Sequence, residues 1–192
     1  MTAEVAFRRE FTRGAGQRDI VHDMTSSLLS DAFAHHVWAT LQVMDACDGL
    51  SAEQLETTVP GTYGSILDTM RHIVGADSWY LFRLSGERYP TIEEEGMDLA
   101  ELRAVMDRNA GAWPEVLAAD PDPDEFIEVR ADDGTRYRAA KGIRLAQVLH
   151  HGTDHRSQIC TALTSLGIEP PEIGVWEYGA TVDRAADVPA DA

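Results

Sequence analysis

The chain has 192 residues, 44% apolar and 26% charged, with a formal net charge of −17; this suits one domain with an ample core. So acidic a surface reads as a solvated face and speaks against nucleic-acid partners, because it repels phosphate backbones. No apolar run of about 18 residues marks a membrane span, the N-terminus lacks the apolar stretch of a secretory signal, and Cys47 and Cys160 alone imply no disulfide framework, so a reducing cytoplasm fits.

Residues 1–24 show no sustained period and include the Gly-rich patch RGAGQ, which predicts a loose N-terminal extension. From 25 to 48 apolar residues recur at three and four (Leu29, Phe33, Val37, Thr40, Leu41, Met44, Cys47), the signature of a first helix, stopped at Gly49. SAEQ at 51–54 has the form of a capping box, and VPGTYGS is a loop. A second long helix is expected over 65–84 and a third from the box-like Asp98-x-x-Glu101 through Leu117. FIEVR and TRYRA flank Asp133-Gly134, which predicts a β-hairpin at about 126–138. A fourth long helix follows over 143–166, ended by Gly167. The expected organisation is an all-α, antiparallel four-helix bundle over 25–179, with the hairpin before its last helix and a disordered acidic tail over 180–192. Within the segment after Gly167, Trp176 and Tyr178 are expected to fold back on the bundle, because exposing large aromatics forfeits about 1.5–3 kcal/mol each.

The stretch QVLHHGTDHRSQ holds three of the seven histidines. At about 100° per residue, Leu145, Val148, Gly152, Ile159, Leu163 and Leu166 form the inner stripe. His155 falls near its centre, His151 at its edge, and His150 on the opposite, solvated side. Two imidazoles one turn apart on one face can share a metal ion, or they can be core histidines satisfied by hydrogen bonds. Gly152 leaves room beside them for a ligand or for a close helix. A third ligand has two candidates. His72 lies off the main stripe of its helix (Ile66, Met70, Ile73, Asp77, Leu81, Leu84), and His36 lies on the inner face of the first helix, where His35 points outward. Asp77 is a carboxylate in an apolar stripe. It must be paired or protonated, either by orienting an imidazole N–H or in a salt bridge such as one to Arg156.

The single histidine of the second helix followed by an acid and Trp (His72, Asp77, Trp79), the last-helix run His151, His155, Arg156, Gln158, the stretch FAHHVWATLQVMDACDGL and the loop PGTYGS together resemble the DinB-like superfamily, over residues 28–178. The resemblance implies a four-helix bundle that holds a divalent metal, zinc or nickel, on His72, His151 and His155, with His36, Asp77, Arg156 and Gln158 as supporting candidates, and a homodimer. It also implies a small-molecule substrate and a low-molecular-weight thiol cosubstrate such as bacillithiol or mycothiol, in an S-transferase or isomerase reaction. The chain departs from the pattern in its N-terminal extension and in Ser157, where glycine commonly follows His-Arg.

Three neutral imidazoles leave the full double charge on an ion and at least one open position. Such an ion can activate water for hydrolysis or hold a thiol as thiolate. Neither Cys47, facing the core, nor Cys160, off the inner stripe, is placed as a nucleophile, so a thiol would come from a cosubstrate. A metal-dependent hydrolase is the alternative within catalysis; a non-enzymatic metal or small-molecule binding protein is the alternative outside it.

Overall fold

The computed structural model describes residues 29–131 and 133–188. The expected N-terminal extension, the first residues of the expected first helix and residues 189–192 of the tail lie outside the described residues. The chain order is α1 (Ser30–Cys47), α2 (Ala52–Leu55), α3 (Ile66–Leu84), α4 (Leu99–Ala118), β1 (Phe126–Arg130), β2 (Arg136–Ala140), α5 (Lys141–Ser165) and α6 (Val175–Thr181). The described chain is thus mostly helical, with one small antiparallel hairpin immediately before the longest helix.

Three helix starts, those of α2, α3 and α4, follow side-chain chemistry. Ser51 and Gln54 cap α2 reciprocally, as do Asp98 and Glu101 at α4, and the Ser65 hydroxyl accepts from the Asp68 backbone N–H at the start of α3. Each cap satisfies amide donors that the first turn leaves without partners. At the far end of α5, Gly167 turns at φ 74°, a conformation that costs glycine little. The hairpin turns at Asp133-Gly134 and pairs Phe126 with Ala140 and Arg130 with Arg136, so its second strand runs two residues beyond the expected end.

The four long helices close on one another: α3 packs on α4 and α5, and α1 packs on α4 and α5. Their apolar faces meet in a core that includes Phe33, Met44, Ile66, Met70, Ile73, Leu81, Leu102, Met106, Trp113, Ile159 and Leu163, all fully buried. The whole predicted stripe of α3 is buried, Asp77 included. Burial on this scale is the main stabilising term, at about 25 cal/mol per Å² of apolar surface.

Two expectations need correction near the C-terminus. The segment after the proline turn forms the short helix α6, which packs on α1. Tyr178 docks there, its ring 5.6 Å from Trp38 and 5.9 Å from His35. Trp176 does not dock and is 77% exposed. Residues two apart on a helix point about 200° apart, so one contact face cannot take both. His35, expected to face solvent, is instead half-buried, and its Nε2–H donates to the Ile173 carbonyl at 2.8 Å. Desolvation lowers its pKa from the ordinary value, against that hydrogen bond. The periodicity of α1 does not register a cover supplied by a segment 138 residues away.

Candidate metal centre

His151 and His155 stand one turn apart on α5, and His72 projects from α3, which packs against it. All three are half-buried, and each offers a ring nitrogen within 4.8 Å of the others. His151 Nε2 and His72 Nε2 face each other at 3.0 Å. Two nitrogens held at about 2.0–2.1 Å by one ion stand roughly 3 to 3.4 Å apart, so this pair already has the separation of two ligands. The three rings meet edge to face, with centroids 4.4 to 4.8 Å apart. His150, on the same helix, is exposed, as its face predicts.

The electrostatics favour the neutral, lone-pair form. Burial, followed by the neighbouring imidazoles of His155 and His72, pulls the His151 pKa down to about 4. Burial and then His155 lower that of His72. A neutral imidazole is the form a metal requires. Three such donors, gathered from two helices and close enough for one ion, fit a divalent cation that accepts nitrogen ligands.

Two neighbours hold these rings. Gln158 Oε1 accepts from His155 Nδ1–H at 3.2 Å and from the Tyr63 backbone N–H at 2.8 Å. That bond places the His155 proton on Nδ1 and leaves the lone pair on Nε2. Tyr63, from the loop before α3, lies parallel to His72 with ring centroids 4.1 Å apart, and its edge meets His155 at 5.4 Å. Nothing in the sequence distinguished Tyr63 as more than a loop residue; the aromatic in the glycine-flanked turn PGTYGS was the only available sign. Beyond Tyr63 opens a cleft of about 380 Å³, lined also by Gly64, Asp68, Arg71, Glu94 and Glu95.

The remaining candidates form a separate buried cluster. His36 is not a third ligand in this arrangement, because both its ring nitrogens are engaged. Arg156 Nη1–H donates to His36 Nδ1 at 3.1 Å, to the His36 carbonyl at 3.3 Å and to Thr40 Oγ1 at 3.1 Å. A guanidinium has only donors, so Nδ1 must accept. The His36 proton is therefore on Nε2, which donates to Asp77 Oδ1 at 3.0 Å. Asn109 Nδ2–H donates to Asp77 Oδ2 at 2.8 Å, and Trp113 Nε1–H to Oδ1 at 3.0 Å. Asp77 thus orients an imidazole, that of His36, and meets Arg156 only through it; no direct Asp77–Arg156 salt bridge forms. Desolvation pulls the Arg156 pKa down to about 10, which leaves it a cation at neutral pH.

The buried line of α5 also differs from the reading by face. Arg156 lies inward, 2% exposed, while His155 sits at the flank. Hydropathy turns arginine outward, but here acceptors on α1 offset its desolvation. Gly152 makes the approach possible, since a Cβ there would lie 2.6 Å from His36 Nδ1 and 2.7 Å from Arg156 Nη1.

Both cysteines are poor nucleophiles. Burial pushes Cys47 up to about 12 and raises Cys160. Among the described residues, no helix is long and apolar enough to cross a membrane. A family model described as the DinB family matches residues 24–183. No curated protein matches the chain.

Proposed function

The chain belongs to the DinB family, and from that membership together with its three converging histidines we propose that it is a divalent-metal-binding protein acting as an enzyme with a low-molecular-weight thiol cosubstrate, of S-transferase or isomerase type. The observation that carries the reading is the His72–His151–His155 cluster, whose ligand atoms lie within 4.8 Å of one another. In this reading the fold is an antiparallel four-helix bundle, the resident ion is zinc or nickel, the protein works as a cytoplasmic homodimer, and the substrate is a small molecule.

His72, His151 and His155 hold the ion through neutral nitrogens. Gln158 keeps the His155 proton on Nδ1, away from the coordinating side. An ion bound by three uncharged ligands supplies Lewis acidity and keeps net positive charge, which favours the ionised form of a thiol brought to it. The chain provides no thiol of its own for this work, because burial holds Cys47 at about 12 and raises Cys160. Tyr63 stacks on His72 and itself borders a cleft of about 380 Å³, room for a small substrate.

Titration of the metal-free protein with zinc, nickel and cobalt tests the first half. One equivalent should bind tightly, His151→Ala should abolish binding, and His150→Ala should leave it intact. Absence of binding, or equal losses in the two variants, overturns the metal reading. Adding cysteine, glutathione, bacillithiol or mycothiol to the cobalt protein tests the second half. At least one should raise an intense sulfur-to-cobalt absorption that His155→Ala lacks. If none does and simple esters are cleaved with a rate rising near pH 7, the protein is a metal-dependent hydrolase. If a metal binds and neither chemistry occurs, it is a non-enzymatic metal-binding protein.

A further inference from the structure

One carboxylate joins all four long helices. Asp77 of α3 accepts from His36 of α1 and from Asn109 and Trp113 of α4, and His36 accepts in turn from Arg156 of α5. We propose that Asp77, acting through His36 and Arg156, is the positioning device that sets α3 and α5 at the rotation where His72 meets His151 and His155. The inference rests on the metal reading of the triad and adds what aligns it.

Its first support is placement. His72 precedes Asp77 by five residues on α3, and His155 is the residue before Arg156 on α5. A helix is stiff over one or two turns, so fixing Asp77 and Arg156 fixes where the three imidazoles leave their helices, and Gln158 and Tyr63 then hold the His155 and His72 rings. The triad itself cannot do this before a metal arrives, since its only internal bond is the single contact of His72 with His151 at 3.0 Å.

The second support is the chemistry of the cluster. The apolar stripes of α3 and α5 bury surface without a strong angular preference, and cores tolerate repacking at similar volume. Hydrogen bonds are directional, and buried ones are costly to leave unmade. Arg156 presents Nη1 to three acceptors on α1 and Nη2 to Thr153 of its own helix. A small rotation of α5 would strand that charge away from all three acceptors on α1. Buried ionic groups contribute little net stability compared with well-packed apolar residues, and their best-attested use is to select one arrangement among similar ones.

The third support is Gly152. It lies between His151 and His155, and a side chain there would occupy the space of the His36–Arg156 contact. The close approach of α1 and α5 that the cluster needs is therefore built into the same turn that carries two of the three imidazoles.

The test is replacement of the cluster's three ionisable members by apolar residues, in the full-length triple variant His36→Leu, Asp77→Leu, Arg156→Leu, which leaves no charge stranded; Asn109 keeps Ser78 as a partner, and the Trp113 Nε1–H loses its acceptor. The expected protein is folded, with its melt lowered only by the cost of the unpartnered Trp113 donor. Its zinc affinity, measured by chelator competition, falls at least tenfold, and its cobalt ligand-field spectrum departs from that of the wild type. In the metal-free state, the ¹⁵N resonances of the His72 and His151 rings should move toward those of exposed His150. A folded variant with unchanged zinc affinity, cobalt spectrum and histidine resonances overturns the proposal. If the triple variant does not fold, Arg156→Lys, which keeps the charge and loses the planar fork, serves instead: the same loss of affinity in a protein with retained melting supports the device, and unchanged affinity refutes it. If the wild type binds no metal, the metal reading fails separately, and the metal-free resonances still decide whether the cluster aligns the three rings.

Discussion

Tyr63 lies flat against His72, with the two ring planes 7° from parallel and their centroids 4.1 Å apart. The phenol side chain is 56% exposed, so it acts as a cover on the outer side of the histidine cluster rather than as part of the core. An aromatic pair of this kind contributes about 0.5–1.5 kcal/mol beyond area burial. Tyr63→Ala should therefore weaken zinc binding about two- to tenfold, with faster metal release in a chelator-exchange experiment. Tyr63→Phe keeps the ring and should bind as the wild type does. Equal weakening in both variants would mean that the hydroxyl, not the stack, matters.

Gln158 couples that cover to the cluster, because one oxygen accepts from both His155 Nδ1–H and the Tyr63 backbone. Removing a hydrogen-bond partner of a ligating imidazole typically lowers metal affinity by about 10- to 100-fold. Gln158→Leu should fall in that range, while Gln158→Glu, which keeps an acceptor, should fall less. A Gln158→Leu protein with wild-type zinc affinity would show that His155 is oriented without it.

The metal-free protein should lose stability in mild acid. The folded pKa of His151 is pulled by burial, then by its imidazole neighbours, from 6.5 to about 4, and that of His72 is lowered in the same sense. Between those two pH values the unfolded chain takes up a proton that the folded chain refuses, so stability rises with pH across the window. The contribution is complete above pH 6.5 and disappears as pH falls toward 4. Thermal melts of the metal-free protein should show this decline, and His151→Gln should flatten part of it. An identical pH profile in that variant would assign the acid sensitivity to other groups.

The two aromatics of α6 should behave differently. Tyr178 packs on Trp38 and His35, and Tyr178→Ala should cost about 1–2 kcal/mol from lost apolar burial. Trp176 is exposed, and Trp176→Ala should stay within about 0.5 kcal/mol of the wild type. Denaturant melts separate the cases. A large loss at Trp176 would indicate that this ring is covered in the native assembly.

The elements of this protein were legible because each is a local matter. Apolar spacing at three and four marked the stripes of α1, α3 and α5. The capping residues Ser51 and Asp98 marked two helix starts, Gly167 the end of α5, and Asp133-Gly134 the hairpin turn. The same periodicity put His151 and His155 on one side of α5 and His150 on the other. Helix α6 had no such signal, since seven residues after a proline turn are too few to show a period.

Pairing between helices is not local, and there the sequence by itself stopped. His72 and His36 were both candidates for the third position, and periodicity ranked His36 as the more inward. The family resemblance pointed to His72, and the tertiary structure supplies the physical reason, by giving His36 two partners, Asp77 and Arg156, from two other helices and leaving His72 beside His151. Arg156 illustrates the reason. A helix period reports which side of a segment is apolar, but whether a charged residue lies inward depends on acceptors carried by other helices. Those acceptors offset its desolvation only once the chain has brought them together.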